Sequence, residues 1–268
     1  MQIIMEKENE VYLRLSCEPG VKMELNHYFR FHPKDYQFMP MFRRRKWDGY
    51  VYLYNMDSGK IYYGLKNRIQ RFANDREYKL IDQTNDSIEP ISNEDYFKFL
   101  TSFPCEYKLR DYQNNAIRHS INERRCVLLS PTASGKSLII YYLIRYYFPE
   151  KSLIIVPTLS LVSQMYSDFE AYAKADKTFE VEKFVHKIFG GQEKVTDKPI
   201  IISTWQSLYD LKKDFFTDFE LVIGDEAHLY KAKSLTKIMK NLENAPYRIG
   251  TTGTLDDVEV HKLILEGL

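Results

Sequence analysis

The three cysteines of this 268-residue chain, Cys17, Cys105 and Cys126, stand far apart and form no Cys-x-x-Cys pair. Their spacing excludes a disulfide scaffold and a cysteine-rich zinc site, and it suits a reducing compartment. A run of about eighteen apolar residues, the minimum for a membrane span, is also missing. The most apolar segment, Leu138 to Phe148, is short, tyrosine-rich and broken by Arg145. Acidic side chains occupy the first ten residues, where a signal peptide needs an apolar stretch, so the expectation is a cytoplasmic protein with no membrane partner. Charge of one sign is lacking as well: 38 Lys and Arg face 37 Asp and Glu, a formal net of +1. His27, His32, His119, His186 and His261 show no ligand spacing, and no internal repeat or low-complexity tract is present. What the chain does have is apolar material, 44% of its residues against 28% charged. That is enough for real cores and excludes a disordered protein. At roughly 150 residues per domain, its length predicts two compact units.

The first hundred or so residues mix strand-like and helix-like patterns. Gln2–Met5 and Val11–Leu15 read as strands, and Glu18–Arg30 has Val21, Leu25, Tyr28 and Phe29 at helical spacing. Tyr50–Tyr54 and Lys60–Gly64 flank the turn cluster Asn55 to Gly59, which predicts a hairpin. Leu65–Arg76 reads as a basic amphipathic helix, Asp82–Pro90 as a loop and Asn93–Leu100 as a further helix. Pro104 then marks the boundary between an expected small α+β unit, 1–103, and a second unit, 104–268. In the second unit, continuously apolar strands (Val127–Leu129, Leu153–Val156, Ile200–Ser203, Leu221–Gly224, Arg248–Thr251) alternate with helix-length segments. Strands of that kind predict an α/β fold, a parallel sheet with helices on both faces.

Two motifs in the second unit carry chemistry. Ser130-Pro-Thr-Ala-Ser-Gly-Lys-Ser137 lies between a strand and a helix, the setting of a phosphate-binding loop. Thr132, Ala133, Ser134, Gly135, Lys136 and Ser137 are its candidate phosphate ligands. Gly135 would let the backbone bend round an anion, Lys136 would reach the β- and γ-phosphates, and Ser137 would join a magnesium shell. The first glycine of the usual pattern is replaced by Ser130. Gly-Lys-Ser or Gly-Lys-Thr recurs by chance in roughly one chain in ten of this length, so a surface turn capping a helix is the plain alternative to be weighed against the motif taken alone. The second motif, Leu221-Val-Ile-Gly-Asp-Glu-Ala-His228, is an apolar strand ending in two carboxylates. Asp225 at such an end can hold Mg²⁺ and Glu226 can polarise a water, the two functions that phosphoanhydride hydrolysis requires. Together the motifs predict an ATPase with catalytic residues Lys136, Asp225 and Glu226, metal ligands Ser137 and Asp225, and ATP and Mg²⁺ as cofactors.

With these motifs in order, the stretch from about Leu109 to Leu255 resembles the RecA-like nucleotide domain of the superfamily 2 helicases that contain Asp-Glu-Ala-His. By that resemblance Leu109-Arg-Asp-Tyr-Gln113 looks like an adenine-reading motif, with Gln113 on the base edge and Tyr112 or a nearby aromatic stacking on the ring. His228 would link the ATP site to Gly250-Thr-Thr-Gly-Thr254, in which Thr252 and Thr254 face the nucleotide. Val156 to Gln164 looks like a loop that grips a nucleic-acid backbone through Pro157, Thr158 and Gln164. Phe189-Gly-Gly191 and Ser203-Thr-Trp-Gln206 are similar to further gripping loops, through Gly190, Gly191 and Thr204. Taken singly, Pro157-Thr158 is as simply an N-cap, and the Gly-Gly pair more simply a turn. The segment Phe42-Arg-Arg-Arg-Lys-Trp-Asp-Gly-Tyr-Val-Tyr-Leu53 narrows the resemblance to recombination helicases of phages. These imply remodelling of branched DNA, with branched, double-stranded or single-stranded DNA as partner. Three alternatives stay open: a restriction-system translocase, an RNA helicase, and a DNA-binding module with a vestigial nucleotide site.

Charge segregation supports a nucleic-acid surface in the first unit. Residues 30–76 hold eleven Lys and Arg against four Asp, a local net of +7 in a chain of net +1. Arg43, Arg44, Arg45 and Lys46 repel one another, a cost that an adjoining polyanion relieves. Aromatic residues, among them Phe38, Phe42, Trp47 and Tyr52, interleave with these charges. Phosphate neutralisation plus aromatic faces is the chemistry of DNA binding. At strand spacing, Tyr50, Tyr52 and Tyr54 fit a packed sheet better than base stacking, and Trp47 reads as a turn anchor.

Helicases of this superfamily close ATP between two RecA-like domains, and the second supplies arginine fingers. Only Leu255–Leu268 follows Thr254, so the resemblance implies a second RecA-like domain elsewhere in a full-length chain. An arginine finger contributes about 10³–10⁵ in rate. Phosphate release by the isolated 268-residue chain with DNA is therefore expected at under about a thousandth of the two-domain rate. Robust DNA-stimulated turnover by this chain alone would contradict that expectation.

Overall fold

Alternation of apolar and polar residues builds the first sheet, while uninterrupted apolar runs build the second. The structure, a computed structural model, describes residues 1–33, 35–86, 89–131, 133–190, 194–226, 233–253 and Gly267. These residues divide into two compact units, 1–86 with Gly267 and 89–253.

The first unit contains β1 (Gln2–Lys7), β2 (Tyr12–Cys17), α1 (Pro19–Tyr28), β3 (Arg30–Phe31), α2 (Pro40–Arg43), β4 (Val51–Tyr52), β5 (Lys60–Tyr62), α3 (Lys66–Asp75) and β6 (Lys79–Asp82). Its main sheet has the order β5-β2-β1-β6, antiparallel except for the β1–β6 pair. Ile3 and Met5 of β1 and Leu13 and Leu15 of β2 point to one face. There they share a core with Val21 and Leu25 of α1 and Ile69 and Phe72 of α3.

The expected hairpin across Asn55 to Gly59 does not form. The turn is present, with Gly59 N–H donating to the Asn55 carbonyl at 2.8 Å and the Asn55 side chain accepting from Ser58 N–H at 2.8 Å. Its flanking strands pair elsewhere, β4 with β3 and β5 with β2. Burial decides this, because pairing β5 with β2 puts Ile61 beside Leu13 in the core. Strand β6 went unread because it is only four residues long and half-buried; parallel pairing with β1 creates it.

The second unit contains α4 (Asn93–Thr101), α5 (Asp111–Glu123), β7 (Arg125–Leu129), α6 (Lys136–Tyr147), β8 (Ser152–Val156), α7 (Leu159–Ala173), α8 (Val181–Phe184), β9 (Val185–Ile188), β10 (Ile200–Thr204), α9 (Trp205–Leu208), β11 (Leu221–Gly224), α10 (Lys233–Asn241) and β12 (Tyr247–Thr252). Six strands pair in the order β7-β12-β11-β8-β10-β9, every pair parallel. β8, β10 and β11 are buried at every position, as their apolar runs require. With its flanking helices this is a RecA-like sheet. Helix α4 and Phe103, expected in the first unit, pack here: Phe99 and Phe103 set their rings against Tyr141, Tyr142 and Tyr146 of α6, and the Tyr96 ring lies against Phe99 in the same core. The Tyr96 hydroxyl also donates to the Asn114 side chain at 2.7 Å. The change of unit thus falls near residue 87, well before Pro104.

Gly59 joins the turn to the main sheet. It has φ +70°, its carbonyl accepts from Leu15 N–H at 2.8 Å, and a Cβ there would stand 2.5 Å from the Leu15 carbonyl oxygen. Gly59→Ala is expected to lower the stability of the first unit by about 2 kcal/mol or more, from left-handed strain plus a clash with backbone. An unchanged urea midpoint would show that the turn moves away at no cost.

Candidate functional site

In a parallel sheet every strand delivers its carboxyl end to the same edge, and the motifs meet there. β7 leads into the loop that starts at Ser130, and α6 begins at Lys136. Ala133 (φ +64°) and Gly135 (φ +77°) are both left-handed, which curls the loop tightly before the helix. The loop is tied to β12 by Ser130 N–H donating to the Thr252 carbonyl at 2.7 Å, and to itself by the Ser130 and Ser134 hydroxyls at 2.5 Å. The left-handed backbone at 135 favours glycine, and a Cβ there would stand 2.5 Å from the Gln113 amide nitrogen, so that side chain would have to shift.

Strand β12 lies between β7 and β11. This order brings the loop face to face with the end of β11, although Lys136 and Glu226 are ninety residues apart. The Lys136 ammonium is paired with Glu226 Oε1 and lies 3.8 Å from Asp225 Oδ1. Asp225 is buried, and its Oδ1 accepts a hydrogen bond from the Thr251 hydroxyl at 2.7 Å. Glu226 sits in the left-handed region at φ +51°, and its Oε2 accepts from Gly253 N–H at 3.4 Å. One cation, two carboxylates and a threonine from three adjacent strand ends thus form a single charged cluster.

Around it, the Ser137 hydroxyl is hydrogen-bonded to the Tyr172 hydroxyl at 2.8 Å. Burial pushes the Tyr172 phenol up, against the Ser137 hydrogen bond, which keeps it neutral. Gln113 does not present a free amide for a base. Its Oε1 accepts from Arg110 N–H at 3.0 Å, its Nε2 donates to the Ser134 carbonyl at 3.0 Å, and only 4% of the residue is exposed. Tyr112 has an exposed ring, and its hydroxyl donates to the Ser134 carbonyl at 2.8 Å. Thr252 is buried at the end of β12. Thr132, His228, Thr254 and Gly191 lie outside the described residues. Sequence reasoning missed Thr251 and Tyr172. Thr251 adjoins the chosen Thr252, and only the sheet shows which of the two hydroxyls meets Asp225.

The expected nucleic-acid contacts divide. Thr158 caps α7, accepting from Leu161 N–H at 3.4 Å, yet stays exposed beside half-buried Pro157; Gln164, one turn on, is exposed too. Gly190 is exposed, with no atom within 4 Å of an added Cβ. Thr204 is different: it is buried and caps α9 through Ser207 N–H at 3.4 Å, so its side chain is a structural cap that solvent does not reach. In the first unit Arg43, Arg44, Arg45 and Lys46 are all exposed. Trp47 anchors the turn, its Nε1–H donating to the Tyr50 carbonyl at 2.8 Å. Tyr54 is fully buried, Tyr50 half-buried and Tyr52 exposed. Among the described residues no three His, Cys, Asp or Glu side chains form a metal cluster, and no helix is long and apolar enough to cross a membrane.

A glycine-lysine-serine helix mouth facing an Asp-Glu strand end across one intervening strand defines the RecA-like class of nucleotide-binding domains. Residues 106–257 match the family profile described as the type III restriction enzyme res subunit, and residues 3–82 match that of the UvsW DNA helicase N-terminal region. The ATP-dependent DNA helicase UvsW of Enterobacteria phage T4 is 33% identical over 260 residues, 92% of this chain and 50% of that protein. The DNA 3′-5′ translocase XPB2 of Sulfurisphaera tokodaii is 30% identical over 147 residues, 55% of this chain and 31% of that protein. A crystal structure of the bacteriophage T4 UvsW helicase superposes with a TM-score of 0.88 at 30% identity, covering 100% of this chain and 98% of that one. The chain belongs to the superfamily 2 helicases, in the family of UvsW. It spans half the length of the curated phage relative.

Replacing Thr251 with Val removes one hydrogen bond from buried Asp225 and keeps the side-chain shape. A loss of about 1–3 kcal/mol is expected in the second unit, measured by urea unfolding. A midpoint equal to that of the unaltered chain would show that Asp225 needs no help from Thr251.

Proposed function

We propose that this chain is the nucleotide-binding and DNA-binding part of an ATP-dependent DNA helicase or translocase that remodels branched DNA in recombination and repair. One observation carries the reading: Lys136 stands within ion-pairing range of both Asp225 and Glu226 at the mouth of α6. The donor set suits a magnesium-bound triphosphate. The Ser137 hydroxyl and the Asp225 carboxylate are the oxygen ligands that magnesium takes, and the α6 N-terminus with Lys136 offers positive potential to phosphates. When bound, the metal would offset phosphate charge as the leaving group departs.

The chain's own residues supply the rest. Lys136 now spends its charge on Glu226; phosphate oxygens compete for that ammonium, and Glu226 is then free to accept a hydrogen bond from an attacking water. Thr251 holds Asp225 at a fixed orientation. Ser137, whose hydroxyl is bonded to Tyr172, would hold the metal through that same oxygen. Tyr112 offers its exposed face to adenine, while Gln113 acts indirectly, bracing the loop by its hydrogen bonds to Arg110 and Ser134. In the first unit Arg43, Arg44, Arg45 and Lys46 contact DNA phosphates, and Pro157, Thr158, Gln164 and Gly190 do so in the second.

The names of the relatives favour DNA over RNA, since the phage helicase and the archaeal translocase named above are both described as acting on DNA. A restriction translocase is the second reading, favoured by the match of residues 106–257 to the res subunit. The match of residues 3–82 to the UvsW N-terminal region weighs against it. A second RecA-like domain in the full-length protein accords with the half-length coverage of the phage relative. A cytoplasmic location accords with the lack of a membrane-crossing helix among the described residues.

In the full-length protein, Lys136→Ala is expected to cut DNA-stimulated ATP hydrolysis by about 10²-fold or more, the usual cost of one charge-stabilising donor. Nucleotide-free DNA binding should be unchanged. Hydrolysis at the unaltered rate would overturn the proposed site.

A further inference from the structure

Residues 36–47 of the first unit combine features that phosphate binding alone does not require. The segment starts with the 3₁₀ turn Tyr36–Phe38 and continues through α2. Four backbone hydrogen bonds fold it on itself: Arg43 to Met39, Arg44 to Pro40, Arg45 to Phe42 and Lys46 to Met41, all between 2.9 and 3.1 Å. Beneath it runs a continuous stack of side chains. The Arg30 guanidinium lies 4.1 Å over Tyr50, Tyr50 lies 3.9 Å from His32, His32 lies 4.0 Å from Tyr36, and Tyr36 meets Phe42 edge-on at 4.8 Å. His32 Nδ1 is bonded to the Gly49 carbonyl at 2.9 Å. A Cβ on Gly49 (φ +86°) would stand 2.8 Å from the Tyr36 ring, so the glycine of Trp-Asp-Gly lets the stack close.

This support holds up an apolar tip. Phe38 is 63% exposed and Met41 58% exposed, and Arg43 reaches over the Phe38 ring at 5.6 Å. Next to them a shallow groove of about 630 Å³ is bordered by Phe42, Arg43, Arg45, Lys46 and Trp47, with Gln37 and the Asp48 carboxylate on its rim, the latter bonded to the Tyr52 hydroxyl. Among the described residues none of the four adjacent cations forms an ion pair. Large apolar side chains held in water by a rigid base, ringed by unpaired cations, call for a partner that is a polyanion and also has apolar faces. A protein surface acidic enough for those cations would lack the faces. DNA with exposed bases has both, and stacking on apolar and aromatic side chains tolerates any base.

We propose that this segment receives an unstacked or unpaired base at a DNA branch point, with Phe38 and Met41 against the base and Arg43, Arg44, Arg45 and Lys46 on the flanking phosphates. The idea rests on the DNA-remodelling function proposed above and assigns its branch selectivity to the apolar tip. Because the stack has already ordered the tip, little side-chain freedom is lost on binding.

The test uses the intact chain without nucleotide, titrated against a forked DNA carrying 2-aminopurine at the branch and against linear duplex of the same length. Phe38→Ala/Met41→Ala is expected to weaken fork binding roughly ten-fold, to abolish the 2-aminopurine fluorescence change, and to leave duplex affinity and salt slope unaltered. Both residues are exposed, and an unchanged melting midpoint will confirm that the variant folds. Arg43→Ala/Arg44→Ala/Arg45→Ala should weaken both DNAs and flatten the log–log salt slope by up to about 3. If the Phe38/Met41 variant binds fork and duplex as the unaltered chain does, or loses both equally, the proposal is overturned. Tighter binding of an RNA fork than of the DNA fork would overturn it too. Failure of the wider function would appear differently, as an unaltered chain that binds neither DNA or gives no calorimetric heat with ATP and magnesium.

Discussion

A lysine ammonium held against two carboxylates at the open edge of a parallel sheet is the contact on which the second unit is organised. Bringing Lys136, Asp225 and Glu226 out of bulk water costs several kcal/mol per ion, and the cost is tolerable only because each finds a partner. Asp225 gains a further bond from Thr251 and Glu226 one from Gly253. Deleting any member leaves another charge under-satisfied, so the cluster holds its own geometry. It is also a natural place for an anion, because a phosphate can take over the role the carboxylates now play toward Lys136.

The first unit meets a different constraint. Its core is an alternating sheet under two helices, and its charge is gathered in one segment. Such a segment would ordinarily be mobile, since neighbouring cations repel. Here the Arg30–Tyr50–His32–Tyr36–Phe42 stack and the closed backbone of α2 hold it in one shape. The near-zero net charge of the whole chain conceals this, because the compensating acid lies elsewhere in the sequence.

Much of the second unit is legible residue by residue. β8, β10 and β11 are buried at every position because both faces are covered, and the Asp-Glu pair at the end of β11 gains its meaning from the Gly-Lys-Ser loop ninety residues before it. The first unit is harder to read. Its short strands β3 and β6 have too few residues to show a period, and partners distant in sequence create them; β4 lies inside the strand-like run Tyr50–Tyr54, yet its partner is β3. The Asn55–Gly59 turn is correctly legible as a turn, yet its chemistry says nothing of which strand Ile61 joins. Helix α4 is legible as a helix, but its place in the second core follows from ring packing on α6. Gln113 and Thr204 share a feature that a motif does not display: both are buried, with hydrogen bonds already made to Arg110 and Ser134, or to Ser207.

Residue order alone therefore settles the apolar strands β7, β8, β10, β11 and β12, where the phosphate loop and the carboxylate pair begin, and where positive charge accumulates, since each of these is a property of contiguous residues. The fold decides that β12 lies between β7 and β11, that Thr251 and not Thr252 meets Asp225, and that Phe38 and Met41 stand out from a rigid stack. These outcomes depend on which distant surfaces bury one another, and that competition is resolved only when the whole chain packs.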